Sequence, residues 1–312
     1  AMCVLGCIGH AALGYDSVSV NRALAEKAVD AIAAALGRDR ESAAEAIIQV
    51  AISGMYREVS KLAARQGVDA RDFCLLPFGG AGPMLGALLA RELGMRQVLV
   101  PATPGVLSAL GGLISEIRND FLETTYADLD AASMPKLLES FGRLEAEAMR
   151  WIKDEQHFAG PVVLQPSAEM RYRGQSYELT VPFDRAWVAA GDMAAMAEAF
   201  HAAHERIYGH ADRKAPIQAI ALSMTVSGAV PPPKFPEQDR ATDTPAPLRS
   251  VEIYLDGAKR TAPLYARKAL RHGHALVGPA IVLADDSTTI IPPGMQGAVD
   301  RFANLMLTPI GE

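Results

Sequence analysis

Leu24, Ala28, Ile32 and Leu36 recur at four-residue spacing, Val29 and Ala33 widen the stripe, and Gly37 follows it. That is the period of an amphipathic helix closed by a C′ glycine. A second helix is expected to open at Ser42-x-x-Glu45, a capping box in which each side chain satisfies a free backbone amide. Its buried stripe would be Ile47, Val50, Ala51, Val59 and Leu62. The period then changes. Phe73-Cys74-Leu75-Leu76-Pro77-Phe78 is a short continuous apolar run, the mark of a strand buried on both faces. Gly79-Gly80-Ala81-Gly82 turns the chain, and Pro83 suits the first turn of a helix running through Leu85, Leu88, Leu89 and Leu93 to Gly94. Val98-Leu99-Val100 predicts another strand, and 106–117 a glycine-bearing helix. Strand alternating with helix predicts an α/β fold with parallel pairing.

The texture shifts near Phe121. A helix carrying Leu137, Leu138, Phe141, Leu144, Met149 and Ile152 leads to a hairpin pattern. Ala168, Met170 and Tyr172 alternate before Arg173-Gly174-Gln175-Ser176, and Tyr177, Leu179, Val181 and Phe183 alternate after it. A helix over 192–208 and a strand through Ile220, Leu222, Met224 and Val226 complete that unit. The stretch 229–250, with Pro231-Pro232-Pro233, reads as an extended connector because proline fixes φ and removes donors. The tail, 251–312, reads as all-β, with turns at Asp256-Gly257 and Pro292-Pro293-Gly294. The expected division is therefore 1–125, an α/β portion, and 126–312, an α+β domain with a β-rich tail.

The chain has 312 residues, and its net charge of -6 is spread without acidic or basic blocks. No basic stripe marks it for nucleic acid or an anionic membrane surface, and no apolar run approaches the ~20 residues of a membrane span. Three cysteines, Cys3, Cys7 and Cys74, make a poor disulfide framework and point to a reducing, cytoplasmic setting. Cys3 and Cys7 have no partners at a zinc-like spacing, so no metal site is assigned. The apolar opening after Ala1, with no basic segment, reads as a cut inside a longer protein.

The glycine turn holds the strongest candidate chemistry. Three glycines in four residues, at the carboxyl end of a strand and opening a helix, let a ligand approach the backbone without Cβ obstruction. The helix N-terminus adds free amides suited to an anion. A tight strand–helix turn is the plainer alternative, though one or two glycines suffice for it. The spacing is neither G-x-G-x-x-G nor a Walker A loop. His201 and His204 lie on an apolar helical face, as packed histidines or as metal ligands lacking a third partner. Arg171, Arg173, Gln175 and Glu178 flank the hairpin turn, to meet a substrate or partner or simply to be solvated. Asp285-Asp286-Ser287-Thr288 offers oxygen ligands or a plain turn.

Several of these blocks together resemble the hydantoinase A/5-oxoprolinase family. They are Phe78-Gly79-Gly80-Ala81-Gly82-Pro83, Ala90-Arg91-Glu92-Leu93-Gly94 and Val100-Pro101-x-x-Pro104-Gly105-Val106-Leu107-Ser108-Ala109-Leu110-Gly111, followed by Arg171-Tyr172-Arg173-Gly174-Gln175-Ser176-Tyr177-Glu178-Leu179 and His204-x-x-x-Tyr208-Gly209. Gly278-Pro279-Ala280-Ile281-Val282, Asp286-Ser287-Thr288-Thr289 and Pro292-Pro293-Gly294 continue them. The resemblance implies part of a ribonuclease-H-like lobe of the actin/sugar-kinase-like ATPase superfamily, followed by the α+β and β-rich domain. It implies ATP and Mg²⁺ as cofactors, with Gly79, Gly80, Ala81 and Gly82 against the nucleoside. The family's acidic and Gly-Gly-Thr phosphate motifs are not in this chain, so the site would be completed by residues it lacks. Relatives commonly carry Leu-His where this chain has Met84-Leu85.

The activity implied is ATP-dependent hydrolysis of a small cyclic amide, as in hydantoinases, N-methylhydantoinases and oxoprolinases. A B-type partner subunit or domain and an oligomeric assembly go with it. Subunits of ATP-dependent acetone and acetophenone carboxylases look similar here and are the nearest alternative. A non-catalytic assembly module is a third reading. No residue is assigned as the catalytic base.

Overall fold

The first helix, α1 (Arg22–Leu36), starts where the Asn21 side chain accepts the Leu24 amide and ends at left-handed Gly37, φ 61°. It packs against α2 (Arg40–Gln66). Val29 and Ala33 are buried, whereas Leu24, Ile32 and Leu36 are exposed, so only the narrow edge of the expected stripe is used. The cap of α2 also differs from expectation. Asp39, three residues before Ser42, accepts the Ser42 amide at 2.8 Å and the Ser42 hydroxyl at 2.7 Å. Glu45 therefore lies a turn inside the helix, where its carboxylate accepts the Gly257 amide at 3.2 Å instead. On α2, Ala43, Ala44 and Ile52 are buried, while Val50, Ala51 and Leu62 are exposed.

The apolar run at 73–78 yields a strand of two residues, β1 (Cys74–Leu75), parallel to β2 (Gln97–Val100) across α3 (Gly82–Leu93). The parallel pairing is as expected, but the double burial is not. β1 is an outer strand with β2 as its one neighbour, and Phe73, Cys74, Leu76 and Phe78 are exposed. The helix after β2, α4 (Leu107–Ile114), follows a short 3-10 turn at Pro104–Val106.

A strand absent from the sequence reading, β3 (Ile117–Asp128), comes next, then α5 (Met134–Arg150), β4 (Val162–Tyr172) and β5 (Leu179–Pro182). A short helix, α6 (Arg185–Ala190), precedes α7 (Met193–Tyr208) and β6 (Ile217–Gly228). The four strands form an antiparallel sheet in the order β3-β6-β4-β5. The three helices cover one face, with Leu137, Phe141, Met170, Phe200, Leu222 and Met224 in the core between.

The tail folds as β7 (Arg249–Leu255), β8 (Ala258–Ala266), β9 (Ala275–Val277), β10 (Ala280–Leu283), β11 (Thr288–Ile291), β12 (Met295–Val299) and β13 (Leu305–Pro309). The β7–β8 hairpin turns at Asp256 and Gly257, both at positive φ (53° and 71°), as a two-residue hairpin loop requires. One sheet runs β11-β10-β8-β7; the other runs β1-β2-β13-β12-β9. β13 is antiparallel to β2, with Leu305 opposite Val100 and Leu307 opposite Val98.

The structure, a computed structural model, describes residues 1–10, 19–231 and 233–311, and Pro232 of the expected connector lies outside them. It divides into two compact units, Ala1–Leu113 with Lys234–Glu312, and Ile114–Pro233. The tail thus packs with the first 113 residues, where the sequence reading had placed it with 126–250. The reason is apolar burial: Leu264, Ile281, Ile290, Leu305 and Leu307 complete one core with Leu5, Leu89 and Val98. The whole is a mixed α/β structure with three sheets.

Leu305→Ala at this fully buried position should cost about 2–5 kcal/mol in denaturant unfolding, and amide exchange at Val98 and Val100 should quicken with it. Unchanged protection of β2 would show that the last strand is dispensable to its neighbour.

Candidate functional site

Three loops of the first unit meet at the carboxyl ends of β1 and β2. The glycine turn follows β1, the Pro101–Gly105 stretch follows β2, and the turn between β10 and β11 carries Asp286. Gly79 has φ 80° and donates its amide to the Pro104 carbonyl at 2.7 Å. The next amide along that second loop, Gly105 N–H, donates to Asp286 Oδ2 at 2.9 Å. The Ser287 hydroxyl donates to Asp286 Oδ1 at 3.1 Å, and the Ala284 amide closes the turn on the Ser287 carbonyl at 2.9 Å.

The three glycines of the turn have different reasons to be glycine. Gly79 needs its positive φ. A Cβ on Gly82 would stand 3.2 Å from the Pro77 carbonyl carbon, so Gly82 serves close packing. Gly80 needs neither: its φ is ordinary, and a Cβ there would meet only the Asp286 carbonyl oxygen, at 3.5 Å. Gly80 and Ala81 are exposed. The one position without a structural demand is therefore on the open surface of the turn, where a ligand would profit from bare backbone. Met84 and Leu85, at the departure from the family pattern, are half-buried and pack against the core.

Beside these loops runs an open cleft of about 770 Å³, lined by Thr103, Arg267, Lys268, Leu283, Asp285 and Asp286 among others. Arg267 Nη2 donates to the Ala303 carbonyl at 2.6 Å and lies 3.4 Å from the Pro101 carbonyl. Burial pulls its pKa down to about 10 against the opposing effect of Asp300 and Asp286. Its Nη1 has no hydrogen-bond partner among the described residues. Asn304 accepts the Ala102 amide at 3.2 Å. Neither Arg267 nor Asn304 was singled out from sequence, since each acts on a loop some 160 to 200 residues away. The arrangement is an open surface lined largely by backbone; among the described residues no paired nucleophile and base stand at the glycine turn.

The other candidates belong to the second unit. Asp212 N–H donates to the Tyr172 hydroxyl at 2.9 Å, and that hydroxyl shares a 2.7 Å hydrogen bond with His201 Nδ1. His204 Nδ1 donates to the His210 carbonyl at 2.7 Å, and its Nε2 accepts the Gln175 amide at 2.9 Å. Both rings are buried. The packed reading of these histidines is the one the geometry carries. Arg171 pairs with Glu178 at 3.1 Å and Arg173 with Asp128, so the hairpin charges are engaged within the unit. Among the described residues no group of three His, Cys, Asp or Glu side chains is placed to hold a metal ion, and no helix is long and apolar enough to cross a membrane. Cys3 and Cys7 are buried free thiols, and burial pushes Cys7 up to about 12.

Comparison with known proteins bears on both units. The family profile described as Hydantoinase/oxoprolinase matches residues 1–121, and that of the Hydantoinase/oxoprolinase C-terminal domain matches 124–309. Caprolactamase subunit alpha of Pseudomonas jessenii is 29% identical over 98% of this chain and 45% of its own. The acetone carboxylase beta subunit of Xanthobacter autotrophicus is 27% identical over 93% of this chain and 44% of its own. The nucleotide-free structure of an ATP-dependent acetone carboxylase superposes with a TM-score of 0.81 at 24% identity, covering 99% of this chain and 46% of that one. The chain spans less than half the length of these relatives.

The buried His201 generates a pH prediction. Burial holds its pKa below the ordinary value, so the unfolded chain takes up this proton first as pH falls. The stability it contributes is complete above the unfolded value of roughly 6.5 and is lost as pH drops from there through the folded value. Wild-type thermal midpoints should fall between about pH 7 and pH 5 more steeply than those of His201→Phe. Parallel curves would remove His201 as the cause.

Proposed function

The chain belongs to the hydantoinase/oxoprolinase family, and from that premise we propose that it forms the adenosine-side wall of an ATP site in a cyclic-amide hydrolase subunit. The observation that carries this reading is the glycine turn at the carboxyl end of β1, with exposed Gly80 free of any packing or φ requirement. Ligands of open α/β sheets favour that end of the strands, and Gly79, Gly80, Ala81 and Gly82 lie there. Their role is shape: bare backbone against the nucleoside, with no proton to move.

ATP supplies the phosphoryl group that turns an unreactive amide oxygen into a leaving group, which a small lactam or imide ring needs at neutral pH. The residues of this chain bind and orient; Mg²⁺ and the phosphates are assigned to residues outside it, because the family's acidic and Gly-Gly-Thr phosphate motifs are not in this sequence. The preference for amide hydrolysis rests on the caprolactamase alpha subunit, which matches across 98% of the chain. Ketone carboxylation is the second reading, favoured by the acetone carboxylase beta subunit at 27% identity. Both relatives are named as subunits, and a B-type partner subunit in an oligomeric, ATP-dependent complex is proposed on that ground. Product analysis of the full-length protein with its partner, Mg-ATP and caprolactam or acetone, with and without bicarbonate, separates the two. Ring opening independent of bicarbonate supports the hydrolase.

Gly80→Val in the full-length protein should weaken ATP binding about tenfold or more, by blocking close approach, while the melting temperature stays near wild type. Unchanged affinity in a folded variant would refute the adenosine-wall assignment.

The 312-residue chain alone should release no phosphate from Mg-ATP above a buffer blank, because phosphoryl transfer needs Mg²⁺ and donors around the γ-phosphate. Turnover abolished by a change at Gly79 or Gly80 would show that it holds a complete site.

A further inference from the structure

We propose that Asp286 is the positioning residue of the glycine turn, acting through the single peptide group that joins Pro104 to Gly105. This rests on the reading that Gly79, Gly80, Ala81 and Gly82 face ATP. The Pro104 carbonyl and the Gly105 N–H belong to one rigid plane. On one side, that plane's N–H donates to Asp286 Oδ2 at 2.9 Å. On the other, its carbonyl accepts the Gly79 amide at 2.7 Å. A rotation of this peptide breaks both bonds together, so whatever fixes the N–H also fixes the anchor of Gly79. Hydrogen bonds in such a chain polarise one another, and the carboxylate on the N–H makes the carbonyl a better acceptor.

The carboxylate is itself held. Its second oxygen takes the Ser287 hydroxyl at 3.1 Å, and Ser287 is buried in a turn closed by Ala284 N–H. Glycine at 105 is what lets the carboxylate reach the backbone, because a Cβ there would stand 2.5 Å from Asp286 Oδ2 and 2.6 Å from Asp286 Cβ. The Asp286 main-chain carbonyl meanwhile lies 3.5 Å from where a Gly80 Cβ would be, so the same residue approaches the turn at a second point. The motif around Asp286 and the motif around Gly79 are thus 207 positions apart in sequence and one peptide apart in space. Asp286 neither touches the nucleotide nor moves a proton. It sets where Gly79 is tethered and so the shape of the wall before ATP arrives.

The test uses the full-length protein, with Mg-ATP affinity by calorimetry and a thermal melt on each variant. Asp286→Ala should weaken ATP binding about tenfold, the size of one lost hydrogen bond to a charged acceptor. Asp286→Asn keeps an uncharged acceptor for Gly105 N–H and should recover most but not all of the affinity, while an unchanged melting temperature in a weakly binding Asp286→Ala separates positioning from mere stabilisation. Gly105→Ala should reproduce the Asp286→Ala loss by displacing the carboxylate, and the double variant should be no weaker than either single one. If Asp286→Ala does not fold, Asp286→Glu carries the test: it keeps the charge but moves the oxygens off Gly105, and should lose affinity likewise. Wild-type affinity in folded Asp286→Ala or Asp286→Glu overturns the proposal, as do additive losses in the double variant. Gly80→Val distinguishes the failures. If it weakens binding while the Asp286 variants do not, the wall stands and Asp286 is not its support; if none weakens binding, the wall itself is misassigned and the proposal falls with it.

Discussion

The pairing of β13 with β2 is the constraint on which the first unit depends. Three backbone partners, Leu305 with Val100, Met306 with Leu99 and Leu307 with Val98, insert the final strand between β2 and the β12–β9 edge. Without it, β1 and β2 are a two-stranded parallel ribbon, and such a ribbon does not hold a core by itself. With it, the loop after β2 gains three anchors from the tail: Asn304 on the Ala102 amide, Arg267 on the Pro101 and Ala303 carbonyls, and Asp286 on the Gly105 amide. The glycine turn is fixed last, through Gly79 on Pro104. Order in the loops is inherited from pairing in the sheet.

The opposite edge of that sheet is different in kind. β1 has a partner on one side, and Phe73, Leu76 and Phe78 around it are exposed, as are Leu24, Ile32, Leu36, Val50 and Leu62 on the two helices. Scattered apolar exposure of this kind is ordinary for a folded protein surface. The second unit has exposed apolar side chains of its own, Leu122, Tyr126, Val163 and Tyr177 among them. Its hairpin and α7 are tied by hydrogen bonds between Tyr172 and His201 and between Gln175 and His204, with Tyr172, His201 and His204 buried and Gln175 half-buried. The two sequence blocks that carry the family resemblance in this region, around Arg171 and around His204, are the two halves of that network.

Local chemistry made much of this legible from sequence. The glycine turn, the β4–β5 hairpin, α7 and β6 all lie where alternation, helical period and turn residues predicted them. The failures share a physical cause. β3 alternates in burial, but Asn119, Glu123 and Thr125 are among its inward positions, so hydropathy does not alternate with it. Ser42 and Glu45 form a pattern that looks complete, yet Asp39 caps the helix and Glu45 accepts the Gly257 amide, a contact the local pattern does not reveal. The tail's strands were legible and their destination was not. Pairing partners in a sheet are chosen by what remains to be buried, which no window of a dozen residues contains.

At the site the same limit appears in sharper form. Gly79, Gly80, Ala81 and Gly82 announce themselves, because glycine clusters have few uses. Asp286 was legible only as an acid in a turn, and both its readings, ligand or turn, treat it as local. Its carboxylate instead ends on a backbone amide of another loop, where glycine alone leaves room for it. Sequence shows that Gly105 lacks a side chain but not whose side chain fills the space. Met84 and Leu85 make the converse case. They depart from the family pattern, and both pack toward the core from the first turn of α3. A substitution there acts first on how α3 seats against the sheet, and reaches a ligand only through the position of the turn that opens the helix.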